Sequence, residues 1–466
     1  MKNISKLDDE DVVFINRPWT DKEKKEFSDF LKKISMKKTF SLLLSLLIFS
    51  VTLAQTIPVA PPQDSLIILM NGIAHLGNGD VIENSAIGFE HGKITFVADA
   101  RTIRLEQSNA KIINIYGKHV YPGLIACNSN LGLNEIEAAR ETRDAYEVGE
   151  FNPNIRSIIA YNTDSKVIAT VRYNGILLAQ VVPQGGIISG SSSVVQLDAW
   201  NWEDAAYKTD EGIHLNWPLY FTAHFDNPDG GTIGVNEKYA EQVQNIRDFF
   251  NEAKAYSQTV THENTNLKFE AMRELFSGSK KLFIHADGVK EITGAVLFAK
   301  SGNLQCVIVG GSEAWKCTDI LVANHVPVIL GRIQSLPGSA DDDYDLPYKT
   351  PALLKKAGVD FCLSMDGFWQ QRNLSFLGGE AISYGEMSKE EALQYITSNA
   401  ARILGIDSVT GTLESGKDAN IIVSDGDILD MKTNNIIYAF IQGREINLGN
   451  KQKDLYEIYK TKYGIK

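Results

Sequence analysis

The chain has 466 residues, 44% of them hydrophobic and 22% charged, which is enough apolar content for a large buried core. Its 46 basic and 58 acidic residues give a formal charge of -12, with no basic stripe. That balance argues against a nucleic-acid partner, and the acidic surplus mainly favours solubility.

Residues 1–35 are polar, with an acidic cluster at Asp8, Asp9, Glu10 and Asp11, and read as a non-native or disordered extension outside the fold. At Met36 the pattern changes to Lys37 and Lys38, an apolar run from Phe40 to Leu53, then Ala54 and Gln55. Two lysines, a short apolar core and a small residue at a cleavage point predict a signal peptide over 36–54. The protein is therefore expected to be exported, either periplasmic or secreted. The competing reading of the run is a buried core helix; Pro58, Pro61 and Pro62 directly after it favour the signal. The run is too short for a comfortable membrane span, so no transmembrane anchor is expected. The four cysteines, Cys127, Cys306, Cys317 and Cys362, contain no Cys-x-x-Cys spacing. Most are expected to be buried free thiols, although an exported protein can pair some of them.

Residues 66–121 read as short strands and tight turns. Ser65 to Met70 is apolar and meets a turn at Asn71-Gly72, and Asn78-Gly79-Asp80 makes another. Ala86–Phe89 and Ile94–Val97 flank Glu90-His91-Gly92-Lys93, which predicts a hairpin. From Val120 short apolar runs alternate with helical patterns. The runs are Tyr121–Ile125, Ile176–Val182, Lys281–His285, Gln305–Val309, Val326–Leu330 and Phe361–Met365. Helical stretches near 290–300, 314–323 and 349–357 separate the last four. Such repeated units predict parallel strands, and a (β/α)8 TIM-like barrel over 122–405 suits their number. The region 200–280 is less regular, with helices expected at Tyr239–Tyr256 and Asn266–Leu275. Ser388-Lys389-Glu390-Glu391 is a capping-box pattern that opens a helix running to Gly405. Strands are then expected at Gly411–Leu413, Asn420–Val423 and Ile436–Ile441. The two ends, 66–121 and 411–447, predict one small composite β-sandwich domain.

Several motifs fall in a telling order: Tyr121-Pro122-Gly123-Leu124-Ile125, His285-Ala286-Asp287-Gly288, Ser364-Met365-Asp366, Thr397-Ser398-Asn399-Ala400-Ala401, and Gly411 to Asn420 with its Gly-x-Leu-x-x-Gly-Lys-Asp-Ala core. The series resembles the amidohydrolase superfamily, in its imidazolonepropionase-like branch. The resemblance implies a barrel in which zinc or another divalent cation activates water against amide, cyclic amide or related carbon–nitrogen bonds. It also implies a His-x-His pair after the Pro-Gly-Leu-Ile strand, a His on the fifth strand, often one on the sixth, and an Asp on the eighth as general base. In this chain the His-x-His positions are Asn128 and Asn130, and the sixth-strand position is Gly310. His285 and Asp366 are the surviving ligand positions, with Asp366 the catalytic candidate. Amides bind Zn²⁺ poorly, so a degraded metal site with low or no turnover is expected.

Two alternatives stay open. One is an active hydrolase that uses His285 and Asp366 with a weakly held metal, its site completed by Asn carbonyls, Asp287 and water. The other is an extracytoplasmic ligand- or partner-binding protein on a barrel scaffold. The expected partners are a small amide-like molecule and an active paralogue or a second copy of the chain. Cys127 is placed opposite Asn128 and Asn130 by strand alternation and is a poor substitute ligand.

The stretch Gln184 to Ser193 is glycine- and serine-rich but lacks a P-loop lysine. By the resemblance it is a substrate-proximal loop at Gln184, Gly185, Gly186 and Ser189, with a plain tight turn as the alternative. His75, His91 and His119 are expected in the small β-domain, and His214, His224 and His262 in structural roles. His325 is placed at the amino end of a strand, away from the catalytic face. Asp341 to Asp345 is expected to be a solvated loop, and Trp200, Trp202, Trp217 and Tyr207 either core or a binding surface.

Overall fold

The computed structural model describes residues 19–33, 58–104, 110–224, 232–259 and 262–465. The chain divides into two units, Met1–Pro58 and Val59–Lys466. The described part of the first contains a helix over Asp21–Lys33. Its start is capped reciprocally: the Thr20 N–H donates to Glu23 Oε2 at 2.7 Å, and the Glu23 N–H to Thr20 Oγ1 at 3.4 Å. The expected signal segment, 36–54, lies outside the described residues. Among the described residues no helix is long and apolar enough to cross a membrane.

In the second unit both chain ends build one sheet. Its strands run in the order Arg444–Glu445, Ile436–Ile441, Ile421–Ser424, His119–Pro122, Ile67–His75, Val81–Glu90 and Lys93–Asp99, with Lys111–Asn114 also paired to Ile67–His75. The sheet folds over its own core, so Phe89 and Phe440, on strands that are not neighbours, meet edge to face at 4.9 Å. The hairpin expected at residues 90–93 is present, with His91 and Gly92 both at positive φ. Two local expectations fail. Asn71-Gly72 is a bulge inside a longer strand, because Asn71 takes φ 69° without ending the pairing. Gly411–Leu413 is a loop held to the sheet by the Leu413 N–H donating to Leu76 O at 2.9 Å.

The second sheet is the barrel. Its eight strands are Leu124–Ser129, Ile176–Val181, Ile188–Gln196, Ala206–Asn216, Lys281–Ala286, Cys306–Gly310, Val328–Leu330 and Phe361–Leu363, neighbours in sequence order. The fourth to eighth strands are parallel, as expected. The third runs antiparallel to both neighbours, which the sequence reading did not foresee. Only residues 182–187 join the second strand to the third, and a parallel crossover needs a dozen or more. The run Tyr121–Ile125 is also divided: His119–Pro122 belongs to the composite sheet and Leu124 opens the barrel, so Gly123 marks the passage between them.

Helices Val289–Gly302, Thr318–Ala323 and Leu346–Ala357 follow the fifth, sixth and seventh strands near their expected places. The capping box at Ser388 forms, with the Glu391 N–H donating to Ser388 Oγ at 3.2 Å. Inside the barrel, Ile125, Cys127, Leu178, Val194, Phe283, Val307, Val309, Ile329 and Cys362 pack on the helix Ser398–Leu404, which closes the floor. Lys281 Nζ donates to Ile403 O at 2.7 Å and Lys208 Nζ to Leu404 O at 3.0 Å, placing two cations at the negative end of that helix. The eighth and first strands share no ladder; Tyr395 O and Ile396 O bridge them by accepting from Leu363 N and Ile125 N.

Candidate functional site at the barrel mouth

A parallel barrel gathers functional groups at the carboxyl ends of its strands, and the sequence-predicted residues divide there into two sets. The first set lies over strands one to five and is tied together. His285, on the fifth strand, places Nε2 2.9 Å from Nδ1 of His214 on the fourth. His214 Nε2 is 2.7 Å from Ser192 Oγ, and Ser192 Oγ donates to Glu211 Oε1 at 2.6 Å. Gln180 Nε2 also donates to Glu211 Oε1, at 2.9 Å, while Gln180 Oε1 accepts from the Asn128 N–H at 3.0 Å. One hydrogen-bonded chain thus runs from His285 on the fifth strand across the fourth, third and second to the backbone of Asn128 on the first.

When Glu211 is ionised, the direction of that chain sets its tautomers. Ser192 donates its only hydrogen to Glu211, so it accepts from His214 Nε2–H. His214 Nδ1 is then an acceptor, and His285 carries its hydrogen on Nε2. Burial keeps both imidazoles neutral: it holds His285 down to about 4 and His214 well below its ordinary value, where His285 adds to the effect. Burial also raises Glu211 to about 7, against the hydrogen bonds from Ser192 and Gln180. Its Oε2 is buried with no hydrogen-bond partner. Phe283 stacks flat on His214 at 4.9 Å, and the ring lies where any side chain at Gly212 would stand.

His214, expected to be structural only, is therefore the direct partner of a candidate site residue. The signal that would have found it is the alternation of Gly212, His214 and Asn216 along a strand that the sequence reading left unassigned. Strand alternation also misleads at Cys127. Asn128 takes φ 51° and shifts the register between Ala126 and Ser129, and Cys127 sits inside the barrel with its thiol 3.7 Å from that of Cys362. All four cysteines are free, and all but Cys317 are buried.

Asn130 Nδ2 donates weakly to Gln184 Oε1 at 3.4 Å, and Asn130 Oδ1 is buried without a partner. This contact brings Gln184, of the expected substrate loop, beside the mouth. Gly185 and Gly186 turn at positive φ, and Ser189, inside the third strand, accepts from Asn216 Nδ2 at 3.0 Å.

The second set lies over strands five to eight, around a cavity of about 310 Å³ lined by Asp287, Gly310, Trp315, Arg332, Asp366 and their neighbours. Gly310 has φ 97°, and a Cβ there would stand 2.7 Å from Asp287 Oδ1. The Asp287 carboxylate, which also accepts from the Ser312 N–H at 3.2 Å, fills the room that a sixth-strand ligand would need. Asp366 and Arg332 make no hydrogen bond or ion pair among the described residues. Loss of hydration beside the cavity wall raises Asp366, opposed by the Arg332 charge and aided by Asp287. A larger cavity, about 700 Å³, opens at the amino ends of the strands and contains His325, on the face where it was expected. Among the described residues no three His, Cys, Asp or Glu side chains converge as a metal ion would require.

The remaining candidates have ordinary partners. His75 meets Glu390 at 2.7 Å and His119 at 3.0 Å in the composite domain. His262 stacks on Tyr256 at 3.6 Å, and His224 ends a strand beside residues outside the described set. Trp217 Nε1 donates to the Tyr239 hydroxyl at 3.0 Å and packs in the core, whereas Trp200 is exposed.

A barrel with its mouth groups on the carboxyl ends of the strands, joined to a sheet made from both chain ends, defines a TIM-like barrel with a composite sheet domain. The amidohydrolase family profile matches residues 349–446. The chain is 25% identical over 384 residues to an imidazolonepropionase of Rhizobium rhizogenes, covering 75% of this chain and 88% of that one. It is 23% identical over 389 residues to an imidazolonepropionase of Thermoplasma volcanium, covering 75% and 85%. In three dimensions it resembles an amidohydrolase from Thermotoga maritima MSB8 with a TM-score of 0.70 at 23% identity, over 82% of this chain and 99% of that one. These matches support a place in the amidohydrolase superfamily, near its imidazolonepropionases.

Proposed function

We propose that this protein binds a small amide-like ligand at the barrel mouth and turns it over slowly or not at all, because its metal centre has lost its donors. The family generally uses a divalent metal. The residues present fit that group poorly. A catalytic zinc normally has three protein ligands and a water. Here two ligand positions are amides, a third is Gly310 with Asp287 in its space, and the fifth-strand imidazole is engaged elsewhere. The observation that carries the reading is the contact between His285 Nε2 and His214 Nδ1 at 2.9 Å: the imidazole nitrogen a metal would need is engaged by a second buried ring.

The ligand class follows from the unpaired groups. Arg332 offers a guanidinium to a carboxylate, and Asp366 and Asp287 offer acceptors to amide N–H groups or an ammonium. A small amide carrying a carboxylate satisfies both. Service beside an active paralogue or a second copy of the chain, in an extracytoplasmic compartment, completes the proposal.

A second reading has one observation in its favour. Asp366 is unpaired, open to the cavity and raised in pKa, which suits a general base in a slow hydrolase. Purified protein, stripped of metal and then supplied with zinc, is assayed on a panel of amides and dipeptides, with Asp366→Asn beside it. The proposal expects ligand binding with little or no turnover, no gain on adding zinc and no difference in rate between the two proteins. Zinc-dependent turnover that falls by orders of magnitude in Asp366→Asn would establish the second reading instead.

A further inference from the structure

The barrel has one seam. Seven of its eight strand boundaries carry a ladder, and the boundary between the eighth strand and the first does not. Across that seam Ser364 Oγ donates to Cys127 O at 3.0 Å, and below it the thiol of Cys362 lies 3.7 Å from that of Cys127. Both cysteines are fully buried, one on each side of the seam and 235 positions apart in sequence. Among the described residues Cys306 and Cys317 have no such thiol neighbour: Cys306 is buried on the sixth strand, and the Cys317 thiol faces the carbonyls of Glu313 and Ala314.

We propose that Cys127 and Cys362 are a modification site, a dithiol converted to a disulfide in an oxidising compartment, which locks the barrel where backbone pairing is missing. A disulfide has its sulfurs about 2.05 Å apart, so the thiols must close by roughly 1.7 Å, a distance within reach of side-chain rotation. The reaction is thiol–disulfide exchange with a small or protein disulfide as oxidant. The thiolate of one cysteine attacks a donor sulfur, forms a mixed disulfide and expels one donor thiolate. The second cysteine attacks the protein sulfur of that mixed disulfide and expels the other. The donor gains two electrons, and two protons pass from the cysteines to solvent and the released thiolates. Burial pushes the Cys362 thiol well above its ordinary range, with Cys127 adding to the effect. Exchange therefore runs while the barrel is opening or forming, and the finished bond is shielded from reductants. The lock sits beneath the mouth, one residue from Asn128 and four from Asp366 in sequence, so it fixes the strands that carry both candidate ligand positions.

The test uses the full chain and its Cys306→Ser/Cys317→Ser variant, which keeps only the proposed pair. Both are unfolded, refolded in a buffer of reduced and oxidised glutathione, alkylated under denaturing conditions and weighed. The expected result is a Cys127–Cys362 linked peptide, no alkylation of the variant until it is reduced, and a thermal midpoint that falls by several degrees on reduction. Cys127→Ser/Cys362→Ser should show no such response to reductant. A variant that refolds with both thiols alkylatable, or carries only glutathione adducts, overturns the pairing. A linked protein that keeps the same midpoint after reduction in denaturant and refolding in reductant overturns the lock.

Discussion

The two sides of the barrel mouth differ in how their polar groups are used. Over strands one to five, His285, His214, Ser192, Glu211 and Gln180 bond to one another in a buried chain that leaves Glu211 Oε2 without a partner among the described residues. Over strands five to eight, Asp366 and Arg332 face a cavity with their bonding capacity free, although opposite charges lie within mutual influence. The first arrangement specifies structure, and the second leaves something for a ligand to do.

The comparison is broken most directly at His214. His214→Ala removes a buried ring, its stacking on Phe283 and the partners of both Ser192 and His285. It should lower unfolding stability by about 3–5 kcal/mol, measured by denaturant titration. A loss comparable to that of a surface substitution would show that the chain of bonds does not hold the barrel.

Glu211 gives the next largest effect, and its sign is fixed. Its carboxyl has an ordinary value of 4.5 and is raised to about 7 in the folded protein. The native state therefore binds more protons than the unfolded one between these values, and its stability falls as pH rises through that window. The slope is about 1.4 kcal/mol per pH unit, or roughly 3 kcal/mol in all. Stability measured against pH should show this loss in the parent protein, and Glu211→Gln should flatten it. Parallel curves for the two proteins would mean that the carboxyl ionises freely.

The open side should respond through ligand rather than stability. Arg332→Met should weaken binding of a carboxylate-bearing amide such as N-acetylglycine about tenfold by calorimetry, and leave binding of its neutral amide unchanged. Equal effects on both would remove the carboxylate contact. Smallest of all, Asp366→Asn should alter unfolding stability by about 0.5 kcal/mol or less, because no side-chain bond among the described residues depends on it.

The sequence exposed these two sides unequally. The fifth to eighth strands could be placed because each is a short, nearly continuous apolar run followed by a helix, and His285 and Asp366 sit at the ends of two of them. The composite sheet was legible for a similar local reason, its turns and the Gly411–Asn420 motif. The third and fourth strands were not. Ile188–Gln196 contains four serines and Ala206–Asn216 contains Lys208, Asp210, Glu211 and His214, so both look like loops although much of each is buried. Their polar groups are compatible with the interior only because they bond to one another, and that pairing comes from tertiary structure. The positive φ of Asn128 and the occupation of Gly310's space by Asp287 leave no local trace either.

The central claim is that the mouth no longer holds a firmly bound transition ion. Elemental analysis of the native protein, purified without chelator and dialysed against buffer containing trace zinc, tests it most directly. The account expects zinc far below one atom per chain, with no change in thermal midpoint on adding chelator. Stoichiometric zinc that survives dialysis, and whose removal lowers the midpoint, would contradict it.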